Sequence, residues 1–326
     1  MKYLFVRILE RCNAHCSMCL YRGNDEGYII PNHKWINLIK SAKQQGIQCI
    51  RLTGGEPLIH PNILSLVTSA TEHGLYVSII TNGYRLENLL DDLVKAGLSQ
   101  IIVSIDSADS AEHDRLRGVN GLYERALEGL KASKAAGLHT RVNTVCGPSN
   151  FRGMPALQDL LTELGIEQWE LSTLKIEHKL NYAPTDKDDM ENVTQLIYTL
   201  GPTIGKIKPM GKIWWGETQT ERSVYLEYGI APRPTTYCHV VNHVRYLDPS
   251  TERLYPCSLL PHRSNSLLTS ISVDDFCVLP ISSPAMMSIV NKLAKTDFLN
   301  CTGCSATAAG FVPTTLSLNK SFVWDY

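Results

Sequence analysis

Six β-rich runs, at residues 2–9, 48–53, 76–81, 100–106, 140–145 and 168–173, alternate with helical patterns through the first two thirds of the chain. Residues 86–96 and 123–136 carry apolar side chains at three- and four-residue spacing and stop near Gly97 and Gly137, a common helix terminator. Consecutive strands separated by whole helices cannot pair as hairpins, so the pattern predicts parallel strands with helical crossovers, closed partway into a barrel. Such barrels place their chemistry at the C-terminal ends of the strands. The informative residues should therefore stand just beyond each run.

The first run ends in Cys-Asn-Ala-His-Cys-Ser-Met-Cys, which holds Cys12, Cys16 and Cys19. Thiolates suit iron–sulfur clusters and zinc alike. A structural zinc site closes with a fourth protein ligand, and no further cysteine follows until Cys49. Three thiolates on a cubane cluster leave one iron open for chemistry. The second run ends in Leu52-Thr53-Gly54-Gly55-Glu56-Pro57.

Together, Cys-x3-Cys-x2-Cys and the later Gly-Gly-Glu-Pro resemble the radical S-adenosylmethionine (SAM) superfamily. The resemblance implies a [4Fe–4S] cluster on the three cysteines, with SAM chelating the open iron through its amino and carboxylate groups. One electron from the reduced cluster then cleaves SAM to a 5′-deoxyadenosyl radical. Gly54, Gly55, Glu56 and Pro57 match the segment that holds the methionyl amino group. Met18 stands where many members carry an aromatic residue, a position expected near the adenine.

Further candidates follow the other strands: Thr81-Asn82-Gly83, Ser104-Ile105-Asp106 and Arg141-Val142-Asn143. By resemblance, Thr81, Asn82, Ser104 and Asn143 belong to the SAM site, and the Arg141 fork meets the SAM carboxylate. Asp106 has two readings, a ribose contact or the cap of a helix beginning near Ser110. The expected fold is α/β, a partial (β/α)6 barrel of the radical SAM type over 1–200, with a bridging segment at 201–236 and a small α+β domain over 237–326.

A second cysteine group, Cys238, Cys257, Cys301 and Cys304, occupies that last domain. Residues 244–256 read as a hairpin turning at Asp248-Pro249-Ser250-Thr251, and residues 284–295 as a helix before the final Cys-x2-Cys. Four thiolates can close either a cluster or a zinc site. The arrangement resembles the twitch domain, a short form of the SPASM extension that holds one auxiliary [4Fe–4S] cluster. That family usually places glycine five residues before the second cysteine, whereas Glu252 stands here, so a longer hairpin is expected. Cys146, at the rim after the fifth strand, and Cys277, near the last helix, are candidate hydrogen donors to a substrate radical, with packing as their ordinary alternative. Trp214 and Trp215 suit packing between domains or stacking on a substrate ring.

The chain has 326 residues, ten cysteines and a formal net charge of −1. That balance gives no broad basic face for nucleic acid, and the interrupted apolar opening lacks the form of a signal peptide or a membrane span. Cysteines at cluster spacing point to a reducing, cytoplasmic setting. The chain begins on its first strand and has only four auxiliary cysteines, so a small-molecule substrate is expected rather than a leader-bearing peptide. By resemblance to twitch enzymes such as inosamine dehydrogenases and cytosylglucuronate decarboxylases, that substrate is a sugar, aminocyclitol or nucleoside of a natural-product pathway. It would undergo dehydrogenation, epimerisation or decarboxylation, with a flavodoxin or ferredoxin as electron donor. Lys175, Glu177, His178 and Lys179 are candidate substrate contacts. The alternatives are a maturase for a ribosomal peptide and a non-catalytic iron–sulfur carrier.

Overall fold

The computed structural model describes residues 3–19, 26–147, 149–166, 168–173, 208–209, 244–248, 251–255, 270–278 and 284. Six parallel strands stand in sequence order: β1 (Tyr3–Leu9), β2 (Cys49–Gly54), β3 (Tyr76–Thr81), β4 (Gln100–Ser104), β5 (His139–Cys146) and β6 (Gln168–Thr173). Helices α1 (Asn32–Gln44), α2 (Ile63–Glu72) and α3 (Leu86–Lys95) connect the first four strands. Both α4 (Ser110–Arg117) and α5 (Leu122–Ala135) lie between β4 and β5, and α6 (Met154–Glu163) precedes β6.

Among the described residues the sheet does not close on itself. The outer edge of β6 takes the short β7 (Lys208–Pro209), and the outer edge of β1 takes β8 (Val244–Asp248) in parallel. From there the chain turns into β9 (Arg253–Tyr255) and later β10 (Ile271–Ser272), both antiparallel to their neighbours. The hairpin at 244–256 is thus present, and it extends the barrel sheet rather than forming a sheet of its own. Helix α7 (Val273–Val278) follows β10.

A two-residue period divides every strand. Leu4, Val6, Ile8, Ile50, Leu52, Val77, Ile79, Ile101, Val103 and Val142 pack with helix residues such as Trp35, Leu38, Leu66, Leu93 and Leu130 in one apolar core. The other face is buried but polar, with Arg7, Arg51, Ser78, Gln100 and Arg141 on it. At the start of the strands, Arg51 donates Nε to Ser78 Oγ at 2.9 Å and Nη2 to Gln100 Oε1 at 3.1 Å. Its guanidinium lies 5.2 Å from the Phe5 ring centre and 5.7 Å from that of Tyr3. Gln100 and Tyr76 both reach His139 Nδ1 at 3.1 Å. At the far end, Arg7 bridges Glu10 at 3.1 Å and Asp248 of β8 at 3.3 Å, tying the added strand to β1.

In the hairpin turn, Glu252 has φ 49°, the one left-handed non-glycine residue among the described residues. An ion pair with Lys34 of α1 accompanies this conformation. A left-handed L-residue costs about 1–2 kcal/mol. Among the described residues no helix is long and apolar enough to cross a membrane.

Candidate active site

The cysteine loop leaves the end of β1 and is gripped from three directions. From β2, Gly55 N donates to Leu9 O at 3.0 Å and Glu56 N to Arg11 O at 2.9 Å, so the ladder continues into the loop. A Cβ on Gly54 would stand 2.2 Å from Leu9 O, and one on Gly55 1.9 Å from Arg11 O. Both atoms are backbone and cannot step aside, which explains the paired glycines by close approach. From β3, Asn82 Nδ2 donates to Asn13 Oδ1 at 2.8 Å. From α4, the carbonyls of Arg117 and Leu116 accept from His15 N at 3.0 Å and Ser17 N at 3.1 Å.

Glu56 organises the rim between β2 and β3. Its buried carboxylate accepts from Leu58 N at 2.9 Å, Thr81 Oγ1 at 2.7 Å and Asn82 N at 2.7 Å. A carboxylate offers about four lone-pair positions, so these donors take up most of its capacity. Burial raises its pKa, and the same three donors oppose the rise. Pro57 opens the short turn that Glu56 caps, where a missing N–H is harmless.

Asp106 serves the opposite side of the rim. Its Oδ1 accepts from Val145 N at 2.9 Å, and its Oδ2 lies 2.8 Å from Arg117 Nη2. Complete burial raises this carboxyl, and Arg117 draws it back down. The cap of α4 is Asp109, which accepts from Glu112 N at 2.7 Å, so the capping reading of Asp106 is corrected by three residues. His113 of the same helix accepts from Asp106 N at 3.1 Å, and burial pushes its pKa down to about 3.

Ser104 and Asn143 are register partners on β4 and β5, and Asn143 is in turn aligned with Glu170 of β6. Arg141 donates Nε to Asn143 Oδ1 at 3.1 Å and forms an ion pair with Glu170. Burial lowers the Arg141 pKa well below the ordinary range, and nearby Arg51 acts in the same direction. Within the fold, Glu170 is thus a carboxylate partner of Arg141.

None of the three loop thiols is in a disulfide. Burial pushes Cys12 up to about 12; the Ala14 N–H opposes this, while Glu56, Cys16 and Cys19 add to it. Cys16 is also raised by burial, with Arg117 opposing. The thiols share an apolar surround of Ala14, Met18, Val119 and Val145. Met18 is turned into this small cluster and is buried. Ala14 N donates to Cys12 Sγ at 3.4 Å, and Arg117 Nη1 to Cys16 Sγ at 3.9 Å. Among the described residues no three His, Cys, Asp or Glu side chains are arranged to hold a metal ion. A single zinc ion needs sulfurs gathered at about 2.3 Å, whereas a cubane takes one thiolate at each separate iron corner. Three free thiols on one short loop beside apolar side chains, two of them facing N–H donors, fit a cluster of that kind.

Both candidate hydrogen donors are placed away from the rim face. Cys146 lies in the helix-side core with Val142 and Trp169, because strand alternation turns it opposite to Arg141 and Asn143. Cys277 sits on α7 against α1, where its carbonyl accepts from Ser41 Oγ at 3.2 Å. Their geometry is that of packing residues. Cys49 is likewise fully buried. Cys238, Cys257, Cys301, Cys304, Trp214, Trp215, Lys175, Glu177, His178 and Lys179 lie outside the described residues.

Residues that sequence reading passed over complete the rim. Arg117, Asn13 and Asn150 have no spacing signature, yet Asn150 donates Nδ2 to Asp106 O at 2.8 Å and to Val145 O at 3.0 Å. The one local signal is the density of charge in His113-Asp114-Arg115-Leu116-Arg117-Gly118 at the end of α4.

Residues 6–161 match the family model described as the Radical SAM superfamily. A PqqA peptide cyclase of Granulibacter bethesdensis is 26% identical over 175 residues, which is 53% of this chain and 47% of that protein. A GTP 3',8-cyclase of Microcystis aeruginosa is 32% identical over 160 residues, 45% of this chain and 48% of that protein. The chain thus spans about half the length of these curated relatives. Streptococcus suis SuiB, solved bound to S-adenosylmethionine, superposes with a TM-score of 0.64 at 17% identity, over 87% of this chain and 67% of that one. The same protein is also solved bound to its precursor peptide SuiA. At that identity the likeness is one of fold.

Proposed function

From a chain whose residues 6–161 form a radical SAM superfamily domain, we propose a radical SAM enzyme whose cluster is held by Cys12, Cys16 and Cys19. When bound, the cluster supplies the electron that cleaves SAM to methionine and a deoxyadenosyl radical, which removes a hydrogen atom from the substrate. The observation that carries this reading is the joint between the cysteine loop and Gly54-Gly55-Glu56, where two backbone bonds at 3.0 and 2.9 Å fuse the two motifs into one surface. The chain's own residues shape that surface. Glu56 fixes the ends of β2 and β3, Asp106 and Arg117 fix the side facing β5, and Ser104 with Asn143 lines the strand ends between them. Loading the site releases protons, because a thiol binds iron as the thiolate.

A small polar substrate is the first reading, supported by the GTP 3',8-cyclase among the relatives. A peptide substrate is the second reading, supported by the peptide cyclase among the relatives. The C-terminal cysteines are proposed to hold an auxiliary [4Fe–4S] cluster, and a flavodoxin or ferredoxin to deliver the electron.

Anaerobic reconstitution should load about eight irons if both clusters form and about four if only the first does. Replacing Cys12, Cys16 and Cys19 with alanine is expected to remove about four of them and all SAM cleavage. SAM turnover that survives the triple change defeats the assignment. Stimulation of deoxyadenosine formation by a panel of sugars and nucleosides, against a panel of short peptides, separates the two substrate readings.

A further inference from the structure

We propose that Arg117 is a positioning residue for the cysteine-bound cluster, a fixed positive charge beside the Cys16 sulfur that favours the cluster's one-electron-reduced state. The proposal rests on the cluster assignment above and goes beyond it by naming a group that tunes the site without binding iron or SAM.

Three features place that charge. Arg117 Nη1 lies 3.9 Å from Cys16 Sγ, and its Nη2 lies 2.8 Å from Asp106 Oδ2. The anchor is itself immobilised, since Asp106 is 0% exposed and held by Val145 N at 2.9 Å and by Asn150 through its carbonyl at 2.8 Å. The surrounding side chains, Ala14, Met18, Val119 and Val145, are apolar, so solvent screens the charge weakly.

The position of Arg117 at the last residue of α4 gives this charge a task. A helix C-terminus carries roughly half a negative charge, and here the carbonyls of Leu116 and Arg117 are aimed at the cysteine loop through His15 N and Ser17 N. A negative pole next to three thiolates opposes the arrival of another electron. The guanidinium stands 3.9 Å from the sulfur and opposes that pole. Donors to cluster sulfurs raise reduction potentials in the same sense. A guanidinium is charged at any accessible pH, and Asp106 at 2.8 Å holds it beside the sulfur.

A merely structural clamp makes a different forecast. The two backbone bonds from α4 to the loop survive any side-chain change at residue 117, so loop position and charge can be separated. The test is a reductive titration of the reconstituted full chain, in which dithionite passes one electron through mediators to the oxidised cluster while electron paramagnetic resonance follows the reduced form. The signal absent from the Cys12, Cys16 and Cys19 triple variant identifies the cluster concerned. Arg117→Gln is expected to shift the reduction equilibrium at least tenfold toward the oxidised state, a potential lower by about 59 mV. Arg117→Lys, which keeps the charge, is expected to restore most of that shift. A parental potential in Arg117→Gln with full iron overturns the proposal. If that variant fails to hold its cluster, Asp106→Asn decides: loss of the carboxylate is expected to raise the potential, and an unchanged or lower value overturns the proposal. A parent protein that takes up no iron defeats the cluster assignment instead, before any variant is compared.

Discussion

The two ends of the strands use buried polar groups in opposite ways. At the starting end, Arg51, Ser78, Gln100, His139 and Tyr76 bond one another across neighbouring strands, within the sheet. At the finishing end, Glu56, Asp106 and Asn82 reach out of the sheet to turns, to α4 and to the cysteine loop. The first network fixes strand register and staggers no loop. The second spends its hydrogen-bonding capacity on holding irregular backbone, which is where a ligand can meet main-chain groups and thiols. A polar network on the inner face therefore braces the sheet at one end and irregular backbone at the other.

Substitution at the joint should have the largest effect. In Gly55→Ala the new methyl would stand 1.9 Å from Arg11 O, so strand and loop must separate. A loss of about 3 kcal/mol is expected, read by thermal denaturation, together with loss of cluster iron. Normal iron uptake in a stable Gly55→Ala protein would mean that the loop is not braced through this contact.

Arg51→Met probes the other end and sharpens the contrast. It deletes the bonds to Ser78 and Gln100 and the stacking on Phe5 and Tyr3, at a cost of about 2–3 kcal/mol. The expected result is a lower denaturation midpoint with unchanged SAM affinity per folded molecule by calorimetry. A weakened affinity would break the division between structural floor and functional rim.

The smallest effect is one of pH. His113 has its pKa lowered from 6.5 to about 3 by burial, so the unfolded state binds a proton between these values that the folded state refuses. Stability is therefore fully present above pH 6.5 and falls on acidification, by about 1.4 kcal/mol for one pH unit below that point. Hydrogen exchange of α4 at pH 7 and 5.5 should show the helix opening more readily in acid. His113→Gln should flatten that difference, and an equally steep loss in the variant assigns it to other groups.

Much of this organisation was legible in the residues alone. The strand runs were read to within a few residues because the helix-side face is consistently apolar, and the Cys-x3-Cys-x2-Cys and Gly-Gly-Glu-Pro motifs are local enough to be seen as strings. The hairpin at 244–256 was visible from its turn residues. Less accessible was Glu252, whose side chain gives no sign that its backbone takes a left-handed φ of 49°. Cys146 was read at the rim because it ends a strand, but the rim has two faces and alternation decides between them.

By itself, the sequence determined the α/β order, the apolar face of each strand and the chemistry of the cysteine loop, since each depends on residues near one another in the chain. Tertiary structure alone decided what surrounds that loop. Asn13 meets Asn82, Arg117 meets Cys16 and Asp106, and Arg7 meets Asp248 across 241 positions. Such pairings follow from how strands and helices are packed in space, and buried polar groups must find partners there whatever their distance along the chain.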